Sequence, residues 1–287
     1  MPITAIVLTR DEQANLPACL DSLSGWVQRM VIVDSGSVDA TCQLARERGA
    51  EVIAHPFESH TRQWRWALDH VAQGADWVLG LDADQAVSPE LRASITRLFV
   101  GPDGRLERYH GFYVNRRQIF RGRWIRHGGY YPKYLLKLFR VAHVQLDPAD
   151  LMDHHFQVAG PTARLSGDLI ERNRKEEDIS FWLQKHIRYA ELLAREEQLR
   201  RAGATAYLAP AWFGSPDQRV VWLKRRWYTL PRYWRAAGYF FYRYLLRLGF
   251  LDGREGFVFH ALQAFWLRLI VDVQLDQLEA EPRTSTP

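Results

Sequence analysis

The sequence predicts an α/β protein with a mostly parallel, Rossmann-like sheet flanked by helices, followed by a helical extension. Short apolar runs alternate with helical patterns over the N-terminal third, and two of these runs end in aspartate. Repeated strand–helix units form parallel sheets with right-handed crossovers. Near the C-terminus the pattern is different, because basic and aromatic residues are interleaved there. We therefore expect a first domain at residues 1–200 and a basic, aromatic helical extension at residues 201–287.

Composition narrows the class of protein. The chain has 287 residues, enough for one large domain or for an α/β domain with a smaller appendage. With 47% hydrophobic and 25% charged residues it is an ordinary globular chain, which excludes disorder over most of its length. Cys19 and Cys42 do not form a Cys-x-x-Cys pair, which excludes a disulfide framework and a cysteine zinc site.

We expect neither a targeting signal nor a membrane span. Residues 1–9 have no basic start, and Arg10 ends the apolar run too early for a signal peptide. The longest nearly apolar stretch, residues 256–267, is shorter than the roughly 18 residues that a spanning helix needs.

Four short segments predict strands, and the first is a continuous apolar run typical of a strand buried on both faces. They are residues 5–9, 30–33, 51–54 and 77–81. Helices are predicted between and after these strands, and the residues expected at their starts are Asn15, Asp39, Thr61 and Ser88. In open parallel sheets, ligands bind beyond the carboxyl ends of the strands. Asp34 and the pair Asp82 and Asp84 follow two of these ends.

The second half of the chain changes in character. Residues 111–120 and 134–139 predict two more strands, and a helical spacing begins at Ile179. Residues 201–251 hold nine Lys or Arg residues against one acid, Asp217, which gives a net charge of +8. Arginine and aromatic side chains together suit phosphate groups, ring stacking and membrane interfaces.

The strongest chemical signal is Asp82-Ala83-Asp84 after an apolar strand. Two carboxylates at a strand end suit a hard divalent ion that also binds diphosphate oxygens. An aspartate-rich turn without a ligand is the alternative interpretation, because this short motif is common. Asp34 is a second acid at a neighbouring strand end, and its alternative role is that of a helix cap.

The ordered set of these pieces resembles the family 2 inverting glycosyltransferases with the GT-A fold. The matching pieces are residues 9–12, 33–41 and 77–84. Within that family the chain is most similar to the lipopolysaccharide-core β-glucosyltransferases and their exopolysaccharide relatives. The pieces shared with that branch are residues 127–132, 138–140, 185–189 and 249–253 and the region of Trp266. The resemblance covers nearly the whole chain.

The resemblance implies a nucleotide-sugar donor and a metal. Thr9, Glu12 and Asp34 would line the nucleotide pocket. Asp82 would lie near the ribose and the metal, and Asp84 would coordinate Mg²⁺ or Mn²⁺. The metal and an arginine would stabilise the leaving nucleoside diphosphate. The candidate arginines are Arg62 and Arg65, although the local pattern departs from the family's usual Arg-Asn pair.

Inversion also requires a base for the acceptor hydroxyl. The family branch has an acidic stretch with histidine after its last core strand, and residues 152–156 stand there in this chain. Asp153 is the first candidate for the base. His154 stands where a glutamate is usual and is the alternative base, while His155 is a candidate metal ligand. A polar turn with structural histidines is the non-catalytic alternative.

The basic, aromatic extension suits a surface on an anionic bilayer, where lipid-linked acceptors lie. The alternatives are an aromatic helical layer packed on the first domain and a homodimer interface. Nucleic acid is disfavoured as a partner by the sugar-transferase pattern. The consecutive glycines Gly128 and Gly129 permit a backbone to approach a ligand closely, or form a simple hairpin turn.

The sequence thus predicts a metal-dependent hexosyltransferase on the inner face of the cytoplasmic membrane. The donor would be a UDP-sugar and the acceptor a lipid-linked glycan of lipopolysaccharide or cell-surface polysaccharide synthesis. A non-catalytic relative that binds nucleotide sugars or lipid is the alternative, because His154 replaces the expected acid. A phosphatase of the haloacid dehalogenase type is disfavoured, since its paired aspartates follow the first strand rather than the fourth.

Overall fold

The computed structural model describes residues 1–102, 104–147, 151, 155–203 and 209–280. These residues form two compact units. The first is made of the described residues within Met1–Arg126, Tyr130–Pro148 and Asp153–Glu177, and the second of those within His127–Gly129, Ala149–Met152 and Asp178–Pro287. The long segment of the second unit begins at Asp178, before the domain boundary that the sequence predicts near residue 200. That functional boundary stays a prediction.

A mixed sheet with helices on both faces organises the first unit, which confirms the predicted GT-A-like α/β fold. The strands are β1 (Ile3–Thr9), β2 (Arg29–Asp34), β3 (Glu51–Ala54), β4 (Trp77–Asp82), β5 (Gln85–Val87), β6 (Gly111–Phe120), β7 (Arg123–Trp124), β8 (Tyr134–Arg140), β9 (Val144–Leu146), β10 (Phe156–Val158) and β11 (Thr162–Arg172). In the described part of the chain, the sheet runs β3-β2-β1-β4-β8-β6-β11-β5, with β7 paired to β6. Strands β9 and β10 form a separate antiparallel pair.

The central strands set the position of the polar strand ends. Strand β1 pairs in parallel with β2 on one side and with β4 on the other. The register places Thr9 opposite Asp34 and Leu8 opposite Asp82. Three polar strand ends therefore meet at one edge of the sheet.

The apolar residues of β1 pack on both faces of the sheet. Ile3, Ala5 and Val7 lie in one core cluster, and Ile6 lies in the other. This is the alternation expected of a strand that is covered on both sides. The helices of this unit are α1 (Leu16–Leu23), α2 (Thr41–Glu47), α3 (His60–His70), α4 (Pro89–Val100) and α5 (Arg105–Arg108).

Asn15 and Ser88 stand at the N-caps of α1 and α4, as predicted, whereas Thr61 does not cap α3. The Ser88 side chain accepts a hydrogen bond from the Leu91 backbone, as predicted. Helix α3 is capped by Ser59 rather than by Thr61, because the Ser59 hydroxyl lies before the first turn and accepts from the Arg62 backbone. The Asn15 side chain itself makes no capping hydrogen bond, since it bonds Glu12 in its own loop and Asn173 and Arg174 in the loop after β11.

The second unit is helical, as the sequence predicted for the C-terminal extension. Its helices are α6 (Ile179–Arg201), α7 (Pro216–Trp227), α8 (Trp234–Phe241), α9 (Gly253–His260) and α10 (Leu267–Ala280). A π-helical turn at Tyr242–Leu246 and a 3-10 turn at Gly249–Asp252 join α8 to α9, and a second π-helical turn at Ala261–Trp266 joins α9 to α10. Small residues of α6, Ala190 and Ala194, pack against Leu267, Val271 and Leu275 of α10.

A buried arginine joins three helices of this unit. The side chain of Arg235 on α8 is completely buried. It donates to Glu197 on α6 at 2.9 and 3.0 Å and, through Nε, to Asp272 on α10 at 2.8 Å. Arg201 also pairs with Glu197, and Lys224 pairs with Glu196. Carboxylates outside residues 201–251 therefore offset part of the +8 charge counted from the sequence.

One helical stretch among the described residues, Gly249–Ala280, is long and apolar enough to cross a membrane by length and composition. Of its most apolar window, 39% is buried inside the protein. The stretch also contains Asp272, whose carboxylate is the buried partner of Arg235. Core helices of soluble proteins meet the same criterion, so the expected absence of a span stays a prediction.

Because the Arg235 guanidinium is buried, we expect Arg235→Ala to lower the free energy of unfolding strongly. The substitution leaves the Asp272 carboxylate buried without its cation, and breaking a buried ion pair costs about 3–5 kcal/mol. The measurement is the free energy of unfolding in urea, followed by tryptophan fluorescence. Arg254→Ala is the matched control, because Arg254 is exposed and such surface changes stay within about 0.5 kcal/mol. Equal losses in the two variants would contradict the proposed role of the network.

Candidate functional site

A hydrogen-bonded turn forms around Asp34 at the end of β2. One carboxylate oxygen, Oδ1, accepts from the Thr9 hydroxyl at 2.9 Å and from the Ser37 hydroxyl at 2.5 Å. The other, Oδ2, accepts from the Gly36 and Ser37 backbone at 3.0 and 2.8 Å. Burial would raise the pKa of Asp34, but the hydrogen bonds from Ser37 and Thr9 outweigh it and lower the pKa. The ionised carboxylate therefore holds the turn.

The loops after β1 and β2 are bonded to each other. The Asp11 backbone donates to the Ser37 hydroxyl at 2.8 Å, and the Glu12 backbone donates to the Thr41 hydroxyl at 2.7 Å. The Val38 backbone donates in turn to the Asp11 carboxylate at 2.8 Å. These bonds form a continuous polar rim along the carboxyl ends of both strands.

Glu12 connects this rim to a third loop, the one after β11. Its carboxylate pairs with Lys175 at 2.5 Å and accepts from the Asn15 amide at 2.7 Å. Asn15 in turn accepts from the Arg174 backbone at 2.8 Å. Sequence reasoning missed Lys175, because more than 160 residues separate it from Glu12 and no local pattern marks it.

The Asp82 carboxylate at the end of β4 has a buried cation beside it. Its Oδ2 lies 3.0 Å from Nζ of Lys137 on β8, the strand that pairs antiparallel with β4. The Lys137 side chain is almost fully buried, whereas 37% of the Asp82 side chain is exposed. Sequence reasoning missed Lys137 too, although a lysine inside the apolar strand 134–140 is a signal that could have found it.

The polar network continues along the same edge. The Gln85 side chain accepts from the Asp82 backbone at 3.2 Å and donates to Glu171 at 2.8 Å. Glu171 also pairs with Arg116 at 3.1 Å, and both side chains are largely buried. The Asp84 carbonyl accepts from the Arg172 backbone at 2.9 Å, which fixes the turn after β4 to β11.

The paired aspartates fit a hard divalent cation. Asp82 and Asp84 lie in one turn and offer carboxylate oxygens, the donors that Mg²⁺ and Mn²⁺ prefer. Across the ranges that the structure describes, no group of three or more His, Cys, Asp or Glu side chains could hold a metal. His155 directly precedes β10, and its role as a metal ligand stays a prediction.

The two candidate arginines lie on the exposed face of α3. Arg62 forms an ion pair with Glu58, and Arg65 is exposed. The buried face of the same helix carries Gln63, which donates to the Ser35 hydroxyl at 3.0 Å and bonds His55 at 2.7 Å. Gln63 thus reaches the ends of β2 and β3 from α3, and sequence reasoning missed it. Contact of either arginine with a nucleotide stays a prediction.

The candidate bases Asp153 and His154 lie outside the described residues. The chain that follows them is described, and Phe156 begins β10 against the sheet. Its ring contacts Trp64 at 4.7 Å and Phe139 at 4.5 Å between ring centroids. A Cβ at Gly80 would lie 2.8 Å from the same ring, so β10 begins directly over β4.

Comparison with known proteins finds relatives that match only part of the chain. The chain is 30% identical over 108 residues to the lipopolysaccharide core biosynthesis glycosyltransferase LpsC of Rhizobium meliloti, which covers 36% of this chain and 39% of that protein. It is 33% identical over 97 residues to an uncharacterized glycosyltransferase of Rickettsia felis, 34% of each chain. The chain thus spans two fifths or less of these relatives' length.

Solved structures with a similar arrangement include glucosyl-3-phosphoglycerate synthase from Mycobacterium tuberculosis in complex with Mn²⁺, UDP and glucosyl-3-phosphoglycerate. The identity is 17%, the TM-score is 0.43, and the match covers 71% of this chain and 81% of that one. The family profile described as glycosyl transferase family 2 matches residues 4–152, just over half of the chain. This range contains Thr9, Asp34 and both aspartates of the β4 turn, and the chain belongs to glycosyl transferase family 2.

Proposed function

We propose that the protein transfers a hexose from a UDP-sugar, with inversion, to a lipid-linked glycan. The observation that carries the proposal is the meeting of Thr9, Asp34 and Asp82 at the adjoining ends of β1, β2 and β4. The similarity to a lipopolysaccharide core glycosyltransferase supports an acceptor of lipopolysaccharide or cell-surface polysaccharide synthesis. The proposed location is the inner face of the cytoplasmic membrane.

The donor nucleotide would bind along the rim of loops after β1 and β2. Asp34 is buried and its carboxylate accepts four hydrogen bonds. Its main contribution would therefore be to hold the turn that shapes the pocket, with Thr9 as its partner. Glu12 and Lys175 would form the outer wall of the pocket, where the ammonium group of Lys175 offsets the charge of Glu12.

The diphosphate would leave at the turn after β4. Asp82 and Asp84 would hold Mg²⁺ or Mn²⁺ there, and the bound cation would offset the charge that develops on the leaving diphosphate. Lys137 orients the Asp82 carboxylate through their 3.0 Å contact. A fixed orientation of its oxygens suits this carboxylate to a hard cation.

Transfer would proceed by a single displacement. Asp153 takes the proton of the acceptor hydroxyl while that oxygen bonds to the anomeric carbon of the sugar. The bond between the anomeric carbon and the diphosphate oxygen breaks on the opposite face, and UDP leaves with the electron pair. A carboxylate suits this role, because it is ionised at neutral pH without any shift of its pKa.

A specific observation keeps a second candidate function open. His154 occupies the position where the family branch usually has glutamate. A chain that lost the base would still present the donor rim and the paired aspartates. The alternative is therefore a non-catalytic protein that binds nucleotide sugars or lipid.

The first prediction of this proposal concerns the metal. Asp84→Ala should weaken UDP binding in Mg²⁺ or Mn²⁺ by roughly tenfold or more, to the level seen without metal. The fold should survive, because Asp84 lies in a turn at a strand end. Calorimetric titration of UDP with and without Mn²⁺ measures the effect. The control is Asp69→Ala, which removes an exposed carboxylate from α3. A variant that keeps the wild-type metal dependence would refute the assignment.

The second prediction concerns the base. Asp153→Asn should retain UDP-sugar binding and lose transfer by about 10²–10⁴, the usual cost of removing a general base. His154→Ala should be milder, because a histidine beside a divalent cation tends to become a ligand. Transfer rate and donor affinity are measured together for both variants. An inactive His154→Ala beside an active Asp153→Asn would move the base to His154, and two active variants would remove both from the mechanism.

A further inference from the structure

The described surface of the second unit carries a dense group of exposed apolar side chains, in a segment that we call the tip (residues 241–251). The group comprises Phe241, Tyr242, Leu245, Leu246, Leu248, Phe250 and Leu251, each between 44% and 76% exposed. Soluble proteins rarely leave such a contiguous group uncovered unless it binds a partner or a membrane.

Hydrogen bonds to the backbone of residues 127 and 128 hold the tip in place. The Asp252 carboxylate is buried and bonds both the backbone and Nδ1 of His127, at 2.8 and 2.7 Å. The Gly128 backbone donates to the Arg247 carbonyl at 2.8 Å, and its own carbonyl accepts from Arg243 at 2.6 Å. The exposed leucines are therefore presented by a bonded framework, and their exposure is not explained by a loose loop.

Close packing of small residues completes this framework. A Cβ at Gly128 would lie 2.0 Å from the His260 ring, and a Cβ at Gly249 would lie 2.4 Å from it. Burial, with Arg243 nearby, lowers the pKa of His260 to about 4, so the ring is neutral at physiological pH. On the inner side of the tip, the Tyr244 ring stacks on Phe240 with centroids 5.3 Å apart. These two rings pack on the inner side of the tip, and the exposed leucines lie on its outer side.

The charge of the tip is uniformly positive. No aspartate or glutamate occurs between Asp217 and Asp252 in the sequence. Several basic residues of that interval are neutralised within the unit: Lys224 by Glu196, Arg232 by Asp276 and Glu279, and Arg235 by Glu197 and Asp272.

Arg247 differs from these arginines. In the described part of the chain no carboxylate pairs with it, and its side chain makes a 3.5 Å contact with the Tyr242 hydroxyl. Its guanidinium lies against Gly129, where a Cβ would come within 3.4 Å of it. In a phospholipid the phosphate lies above the acyl chains. An exposed arginine could bind that phosphate while the exposed leucines around it contact the acyl chains.

We propose that the tip docks on an anionic phospholipid leaflet, with Leu245, Leu246 and Leu248 entering the acyl boundary and Arg247 binding a lipid phosphate. The inference deepens the proposed membrane location and rests on it. A second copy of the chain fits less well, because a symmetric pair would place like charges of the two tips against each other. The uncompensated positive charge and the lack of acids complement an anionic surface.

The test is co-sedimentation of the full-length protein with phosphatidylcholine vesicles, with and without phosphatidylglycerol. The wild type should bind the anionic vesicles more tightly. Arg247→Ala should weaken that binding about fivefold, since a basic residue at an anionic surface contributes about 1 kcal/mol. Leu246→Asp should weaken it by about tenfold or more, because an exposed leucine is replaced by a charge in the acyl boundary. Binding of UDP should be unchanged in both variants.

Two matched controls lie in the first unit. Val100→Asp changes an apolar residue that is 76% exposed, the same exposure as Leu246, and Arg97→Ala removes an exposed arginine. If both tip variants bind vesicles as these controls do, the tip assignment is wrong while the proposed membrane location stands. Failure of the wild type to bind any vesicle overturns both. A third outcome is a wild type that forms a dimer, does not bind vesicles, and becomes a monomer in Leu246→Asp. In that case the tip binds a second copy of the chain, and the proposal is overturned.

Discussion

The parallel pairing of β1 with β2 and β4 is the constraint on which the first unit depends. Side chains alternate along a strand, so a shift of one residue would exchange Ile6 with the residues of the opposite core cluster. The same shift would separate the Thr9 hydroxyl from the Asp34 carboxylate, which now lie 2.9 Å apart. One register therefore builds both the apolar core and the polar rim, and neither can change without the other.

Features that depend on neighbouring residues could be predicted from the sequence. The strands around Asp34 and Asp82 are continuous apolar runs that end in a polar residue, and strand β6 has the predicted bounds, Gly111–Phe120. The polar partners of the site could not be predicted in the same way. Lys137 and Lys175 come from other strands and loops, and their positions follow from the order of strands in the sheet.

Helix starts were only partly predictable for a related reason. Ser59 and Thr61 both carry a hydroxyl near the start of α3, and only the chain geometry decides which one reaches the first free backbone amide. Ser88 had no such competitor and was placed correctly. The charge of the second unit shows a similar limit, because a count over residues 201–251 omits Glu196, Glu197 and Asp272, which neutralise arginines and a lysine inside that range.

Gly80 on β4 has no side chain, and this lets β10 pack directly on that strand. The Phe156 ring occupies the space that a Cβ at position 80 would need. The two positions, 76 residues apart in the chain, are consequently coupled by packing. A side chain at position 80 therefore requires a smaller residue, or a displaced ring, at position 156.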